Sequence, residues 1–222
     1  MGSTRGLFVT GTDTGVGKTV VSAALIVHLR FATPVRYWKP IQTGIEQDDD
    51  TATVSWLAGC SAAELLTDGV RLRRPVSPHL AASLNGTTIE LPPLEDMFNE
   101  AARSARIVVE GAGGALVPVN DLQFMIDLMA RLDLPTVIAA RSTLGTINHT
   151  LLTIEALQRR SLAIAGVVMV GPRNADNRRA IEQYGGVRVL GEMPLFEKLS
   201  PDALSAWAAE LDRERVLTEL LR

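Results

Sequence analysis

The chain is predicted to be an α/β protein with a mainly parallel central sheet and helices on both faces. Three observations predict it. Short β-branched runs alternate with longer amphipathic stretches, most of those runs are apolar without interruption, and a glycine-rich segment, GTDTGVGKT, joins the first run to the first amphipathic stretch. Alternating strand and helix patterns build parallel sheets through crossover connections. Unbroken apolar runs are what strands need when helices cover both faces, whereas a half-exposed antiparallel sheet alternates apolar with polar.

In chain order the predicted strands are residues 7–10, 35–40, 106–110, 136–140, 163–170 and 187–191. The first helix is predicted over about residues 18–30, where Val20, Val21, Ala24, Leu25, Val27 and Leu29 give an apolar face and Pro34 marks the following turn. Another helix is predicted to start near Thr146. It carries Ile147, Leu151, Leu152, Ile154 and Leu157 and closes on Arg159 and Arg160, whose charge suits a helix C-terminus. Residues 41–93 are too long for a simple crossover and hold Asp48, Asp49, Asp50, Ser77-Pro78-His79 and Pro92-Pro93, so they are read as a helical elaboration carrying substrate contacts.

At 222 residues, with no internal repeat, low-complexity tract or linker, the expectation is one domain over 1–222. Acidic residues (25) and basic residues (22) are mixed along the chain and leave a net charge of −3, so no polybasic surface points to nucleic acid or an anionic membrane. A single cysteine, Cys60, excludes an intramolecular disulfide and a multi-thiolate metal site. Nothing near the N-terminus resembles a signal-peptide core, and no apolar run approaches the roughly 20 residues that span a bilayer. A cytoplasmic protein is expected.

GTDTGVGKT occupies residues 11–19, between an apolar strand and an amphipathic helix, which is the setting of a phosphate-binding P-loop. Gly15 and Gly17 let the backbone curl with its N–H groups inward, Lys18 supplies charge for the terminal phosphates, and Thr19 offers a hydroxyl to Mg2+. The fit to G-x-x-x-x-G-K-[ST] is not complete, because Thr12 stands where the first glycine belongs and the glycine is Gly11. Partition-type ATPases carry a second lysine five residues before the main one. Here that position is Asp13, an anion beside the phosphates, which weighs against that branch of the fold.

GTDTGVGKT is followed, in order, by YWKPIQTG, VVEGAGG and STLGTINHTLLT, and in these four segments the chain resembles the dethiobiotin synthetase family. The resemblance covers most of the chain. It implies a P-loop NTPase-like fold and a ligase that uses ATP as co-substrate, with Mg2+, to close a ureido ring on a diamine with CO2. It assigns Lys39 and Lys18 as catalytic, and Thr12, Thr43, Gly145 and Asn148 as substrate-binding. It places Gly15, Val16, Gly17, Lys18, Thr19 and Val20 on the nucleotide, joined by Asp50, Glu110, Gly111, Ala112 and Gly113. It assigns Thr19, Asp50 and Glu110 to the metal. Glu110 ends the strand-like IVVE, where an acid reaches a nucleotide from the sheet edge. Asp50 is the family position within an Asp-Asp-Asp run in which Asp48 and Asp49 are also candidates.

In the family the loop at residues 143–148 reaches the substrate tail across a homodimer interface, so a homodimer is implied. Pro194, Leu195 and Phe196 match a nucleobase-side segment in position, and Asp202 stands where a ribose-binding acid could be. The chain departs from the family at Val170-Gly171-Pro172, where many members carry a base-reading asparagine; Asn174 lies four residues beyond Val170. Preference for ATP over other nucleoside triphosphates is therefore open. Two other readings remain: a partition-type switch ATPase, and a related ATP-dependent amidoligase.

Overall fold

The computed structural model describes residues 5–221. In chain order the elements are β1 (Gly6–Gly11), α1 (Lys18–Leu29), β2 (Val35–Trp38), β3 (Ile41–Thr43), α2 (Asp50–Ala58), a 3-10 turn (Ala62–Glu64), β4 (Leu65–Leu66), β5 (Val70–Leu72), α3 (Pro78–Leu84), α4 (Leu91–Ala101), β6 (Arg106–Gly114), α5 (Met125–Leu132), β7 (Thr136–Arg141), α6 (Thr146–Arg159), β8 (Ile164–Val170), α7 (Ala175–Gly185), β9 (Val189–Met193), α8 (Pro201–Ala208) and α9 (Val216–Leu220).

Seven strands form one sheet in the order β4-β2-β6-β1-β7-β8-β9. Every pair in it is parallel. The pleat explains the continuous apolar runs. Leu7 and Val9 pack with Val21 of α1, Val54 of α2, Leu204 of α8 and Leu217 of α9, while Phe8 between them packs with Leu94 of α4, Met125 of α5, Ile154 of α6 and Ile181 of α7. Successive side chains thus enter two different cores, and both must be apolar.

Residues 41–93 are not the helical elaboration that their length and polarity predict. They contain α2 and α3, but also β4, which joins the main sheet as an edge strand, and β3 and β5, which pair with each other in a separate two-stranded sheet. Strands of two or three residues carry too few positions to show a period. Pro92 and Pro93 lie in the first turn of α4 rather than in a loop; N–H groups there have no intrahelical partner, so proline loses nothing. The last strand runs two residues later than predicted. Gly186 caps α7 in the left-handed region, and the chain leaves it through Val187 and Arg188 before pairing begins at Val189. Among the described residues, no helix is long and apolar enough to cross a membrane.

Candidate nucleotide and substrate site

The phosphate loop lies between the C-terminal end of β1 and the start of α1, at the sheet edge where open parallel sheets gather ligands. Gly15 and Gly17 have φ of 69° and 93°, a region that glycine enters without the clash other residues suffer. A Cβ on Gly17 would also sit 3.3 Å from Val170 Cγ1. Val16 is buried and anchors the loop to the core beneath. Lys18 is buried too, and its Nζ donates to the Asp13 carbonyl at 3.1 Å. Burial and then the nearby Lys39 charge lower its pKa, and the opposing pull of Glu110, Asp50 and Asp13 does not fully offset them.

Lys39 follows β2 and is 4% exposed. Its Nζ lies 2.7 Å from Asp50 Oδ2 and 2.8 Å from Glu110 Oε1, and it donates to the Gly111 carbonyl at 3.2 Å. Burial works to lower its pKa, but Glu110 and Asp50 together outweigh it and the net shift is upward. For Asp50 the balance runs the opposite way: burial favours the neutral acid, and Lys39, helped by the Thr19 hydroxyl, holds the carboxyl below its ordinary value. Thr19 Oγ1 lies 2.7 Å from Asp50 Oδ1 and 3.0 Å from Glu110 Oε1. Of the three consecutive aspartates, only Asp50 makes these contacts. Asp49 caps α2 by accepting from the Ala52 N–H at 3.0 Å, and Asp48 lines the cavity next to it.

These groups wall a cavity of about 690 Å³. Gly15, Gly17, Lys18 and Thr19 of the loop line it together with Lys39, Thr43, Asp50, Glu110, Ala112 and Gly113. Ser77 and Pro78 line it too, whereas His79 lines a separate cavity of about 280 Å³. Gly111 lines the cavity only indirectly, through the carbonyl that binds Lys39; its Cα packs so close to Phe8 that a Cβ would come within 2.9 Å of the ring.

Other predicted site residues stand apart from this cavity. Val20 is on α1 behind the loop, partly buried against the core. Thr12 lines a second cavity of about 290 Å³ with Leu116, His149 and Leu152. Gly145 is the N-cap of α6 and Asn148 lies in its first turn, neither of them lining the main cavity of the same chain. Pro194, Leu195 and Phe196 follow β9, with Leu195 exposed and Phe196 packed on the core; Asp202 is exposed in the first turn of α8. Asn174, the alternative base reader, is committed locally as the N-cap of α7, accepting from the Asn177 N–H.

Three further residues have no role assigned from the sequence, although Tyr37 and Gln42 stand inside YWKPIQTG. Tyr37, buried in β2, donates its hydroxyl to Glu110 Oε2 at 2.9 Å. Burial and then Glu110 push its phenol pKa well up, so it remains a donor. Gln42 donates to the Thr43 and Asp48 carbonyls and ties together the loop that delivers Asp50. Arg141, at the end of β7, pairs with Asp13 Oδ2 at 3.1 Å, so the anion that replaces the partition-type lysine is engaged by an arginine.

A family model described as AAA domain matches residues 5–203. The ATP-dependent dethiobiotin synthetase BioD of Paramagnetospirillum magneticum is 52% identical over 193 residues, 85% of this chain and 87% of that protein. The protein of the same name from Agrobacterium fabrum is 44% identical over 88% of this chain and 89% of its own length. The biotin biosynthesis bifunctional protein BioCD of Bordetella avium is 48% identical over 93% of this chain, which spans 43% of that longer protein. Among solved structures, a ParA family ATPase from Chlorobium tepidum superposes with a TM-score of 0.60 at 12% identity, covering 94% of this chain and 99% of that one. The cell division ATPase MinD of Pyrococcus furiosus gives 0.55 at 18% identity, covering 93% and 98%. At such identities the likeness is one of fold alone. Sequence identity near one half, over nearly the full length of both chains and on a fold that a family model places among AAA domains, makes this chain a member of the ATP-dependent dethiobiotin synthetase family.

Proposed function

We propose that the chain makes dethiobiotin from 7,8-diaminononanoate, CO2 and ATP, releasing ADP and phosphate. The observation that carries the reading is Lys39, held between Asp50 and Glu110 beside the phosphate lysine at the wall of one cavity. A lysine placed so deep and so fixed is suited to oxygens on which charge develops, because a preorganised charge in a dry site costs no reorganisation during reaction.

The donor set fits Mg2+. Asp50, Glu110 and the Thr19 hydroxyl present hard oxygens around one point, and Mg2+ takes one or two carboxylates, completing its shell with water and phosphate oxygens. Among the described residues no group of three or more His, Cys, Asp or Glu is arranged to hold a metal ion. When bound, the ion would neutralise charge on the transferring phosphate.

One substrate amine adds to CO2, losing a proton, and gives a carbamate. A carbamate oxygen attacks the γ-phosphorus and displaces ADP, forming a carbamic-phosphoric anhydride. The second amine attacks the activated carbonyl carbon, phosphate leaves, and the ring closes with loss of a proton. Lys18 holds the terminal phosphates, Lys39 faces the carbamate and transferring oxygens, and Thr43 borders the diamine. No protein nucleophile is required, and the chain contributes positioning and fixed charge.

The chain acts as a homodimer in this reading. Leu116 and Leu152 are 61% and 56% exposed beside the Thr12 cavity, and Leu144 beside Gly145 is fully exposed. A second copy covering this face would bring the start of its own α6 to the substrate. Leu152→Glu is expected to give a monomer by sedimentation with weakened diamine binding; an unchanged dimer would place the interface elsewhere.

The activity test is phosphate release from ATP with Mg2+ and bicarbonate, with and without the diamine. Release that depends on the diamine supports the ligase. Slow release indifferent to the diamine would favour a switch ATPase on the same fold.

A further inference from the structure

We propose that Tyr37 is a positioning residue for the cation site, aiming Glu110 so that one carboxylate oxygen faces Thr19 and Lys39. The inference rests on the reading of Glu110 as a Mg2+ ligand.

Strand register puts the phenol there. Tyr37 pairs with Val108 across the parallel β2 and β6 ladder, and Glu110 is two residues further along β6, on the same face as Val108. The tyrosine ring therefore lies in the core with Val108, and its hydroxyl reaches forward to Glu110. Both side chains are 0% exposed, so the hydrogen bond between them is shielded from bulk solvent.

The division of the carboxylate is the central point. Oε2 accepts from Tyr37 at 2.9 Å, while Oε1 receives both Lys39 at 2.8 Å and Thr19 at 3.0 Å. The last torsion of a glutamate is broad and prefers no single orientation. Lys39 and Thr19 are the groups that must adjust when a cation and phosphates arrive, so neither can hold the carboxylate plane by itself. Tyr37 comes from the strand behind and lines no part of the cavity, which lets it keep Oε2 throughout. Phenylalanine would fill the same core volume; only the hydroxyl serves the carboxylate.

Loss of an outer partner of this kind typically weakens metal binding about 10- to 100-fold. The test is Mn2+ binding in the presence of ADP, read from the free-ion EPR signal, for the parent, Tyr37→Phe, Tyr184→Phe and Glu110→Gln. Tyr184, 70% exposed, is the other tyrosine and serves as control. The expected result is weakening of about 10-fold or more in Tyr37→Phe, no change in Tyr184→Phe, and turnover of Tyr37→Phe that recovers as Mg2+ is raised, with little change in diamine KM. Tyr37→Phe binding Mn2+ within about two-fold of the parent, while Glu110→Gln loses it, would overturn the positioning role. Glu110→Gln binding Mn2+ normally would instead overturn the metal reading beneath it.

Should Tyr37→Phe not fold, 3-fluorotyrosine in the parent sequence gives two resonances, assigned with Tyr184→Phe. The Tyr37 signal is expected to shift on adding Mg2+ and ADP, and to stay put in Glu110→Gln. A Tyr37 signal unmoved by Mg2+ in the parent would refute the proposal.

Discussion

Replacing Lys39 by methionine keeps most of the side-chain volume and removes the charge. In the folded chain this leaves Glu110, with no exposed surface, and Asp50, with a side chain 14% exposed, facing each other without their shared cation. Both acids also crowd one hydroxyl, Thr19 Oγ1, within 3.0 Å, so their repulsion is not relieved by distance. Removing one partner of a buried ion pair costs about 3–5 kcal/mol, because the remaining charge stays out of water. With a urea slope of about 2 kcal/mol/M, the unfolding midpoint should fall by about 1.5–2.5 M. Mg2+ with ADP should recover part of that loss by supplying another cation to the same oxygens. Turnover should fall on the order of 10²-fold or more, and added Mg2+ should not restore it, because the ion cannot take the place of a fixed charge on the carbamate side. A midpoint within about 0.3 M of the parent, together with turnover within about ten-fold, would refute the reasoning.

Two further outcomes follow from local geometry. Asp50 is held below its ordinary value of 3.8, since Lys39 outweighs the effect of burial; a carboxyl lowered in the folded state contributes stability above the ordinary range and loses it as pH falls through the lowered value. The stability difference between the parent and Asp50→Asn should therefore be level through neutral pH and shrink in acid, and a difference that grows on acidification would contradict the assigned cause. Gly17→Ala forces a side chain into φ 93° and against Val170, which should cost about 1–2 kcal/mol in stability and weaken ADP binding by calorimetry; unchanged ADP affinity would mean that the loop tolerates a Cβ at this point.

The parts of the site readable in advance are those in which chemistry and local pattern coincide. Lys18 and Thr19 follow a strand and open a helix, and Glu110 ends an apolar strand, so each residue's type and place agree. Asp50 could not be told from Asp48 and Asp49 by composition; helix geometry separates them, because Asp49 takes the cap and turns Asp50 toward Thr19. Tyr37 was hidden for a different reason. In VRYW a tyrosine reads as core filling, and its partner lies 73 residues away, within reach only through the β2 and β6 pairing. The β3 and β5 sheet is a product of the same long-range closure, with three-residue strands that no local period reveals. Val170-Gly171 is a partial case: the absent base reader was visible, but not that Asn174 is occupied in capping α7.

Phosphoryl transfer to a carbamate oxygen activates the carbon that ends in the ring. The most direct measurement is a single reaction with ¹³C-bicarbonate, ATP, Mg2+ and the diamine, comparing phosphate released with labelled carbon in the organic product by mass spectrometry. The account predicts one labelled carbonyl per phosphate and no release without the diamine. Phosphate released without label entering the product would contradict it.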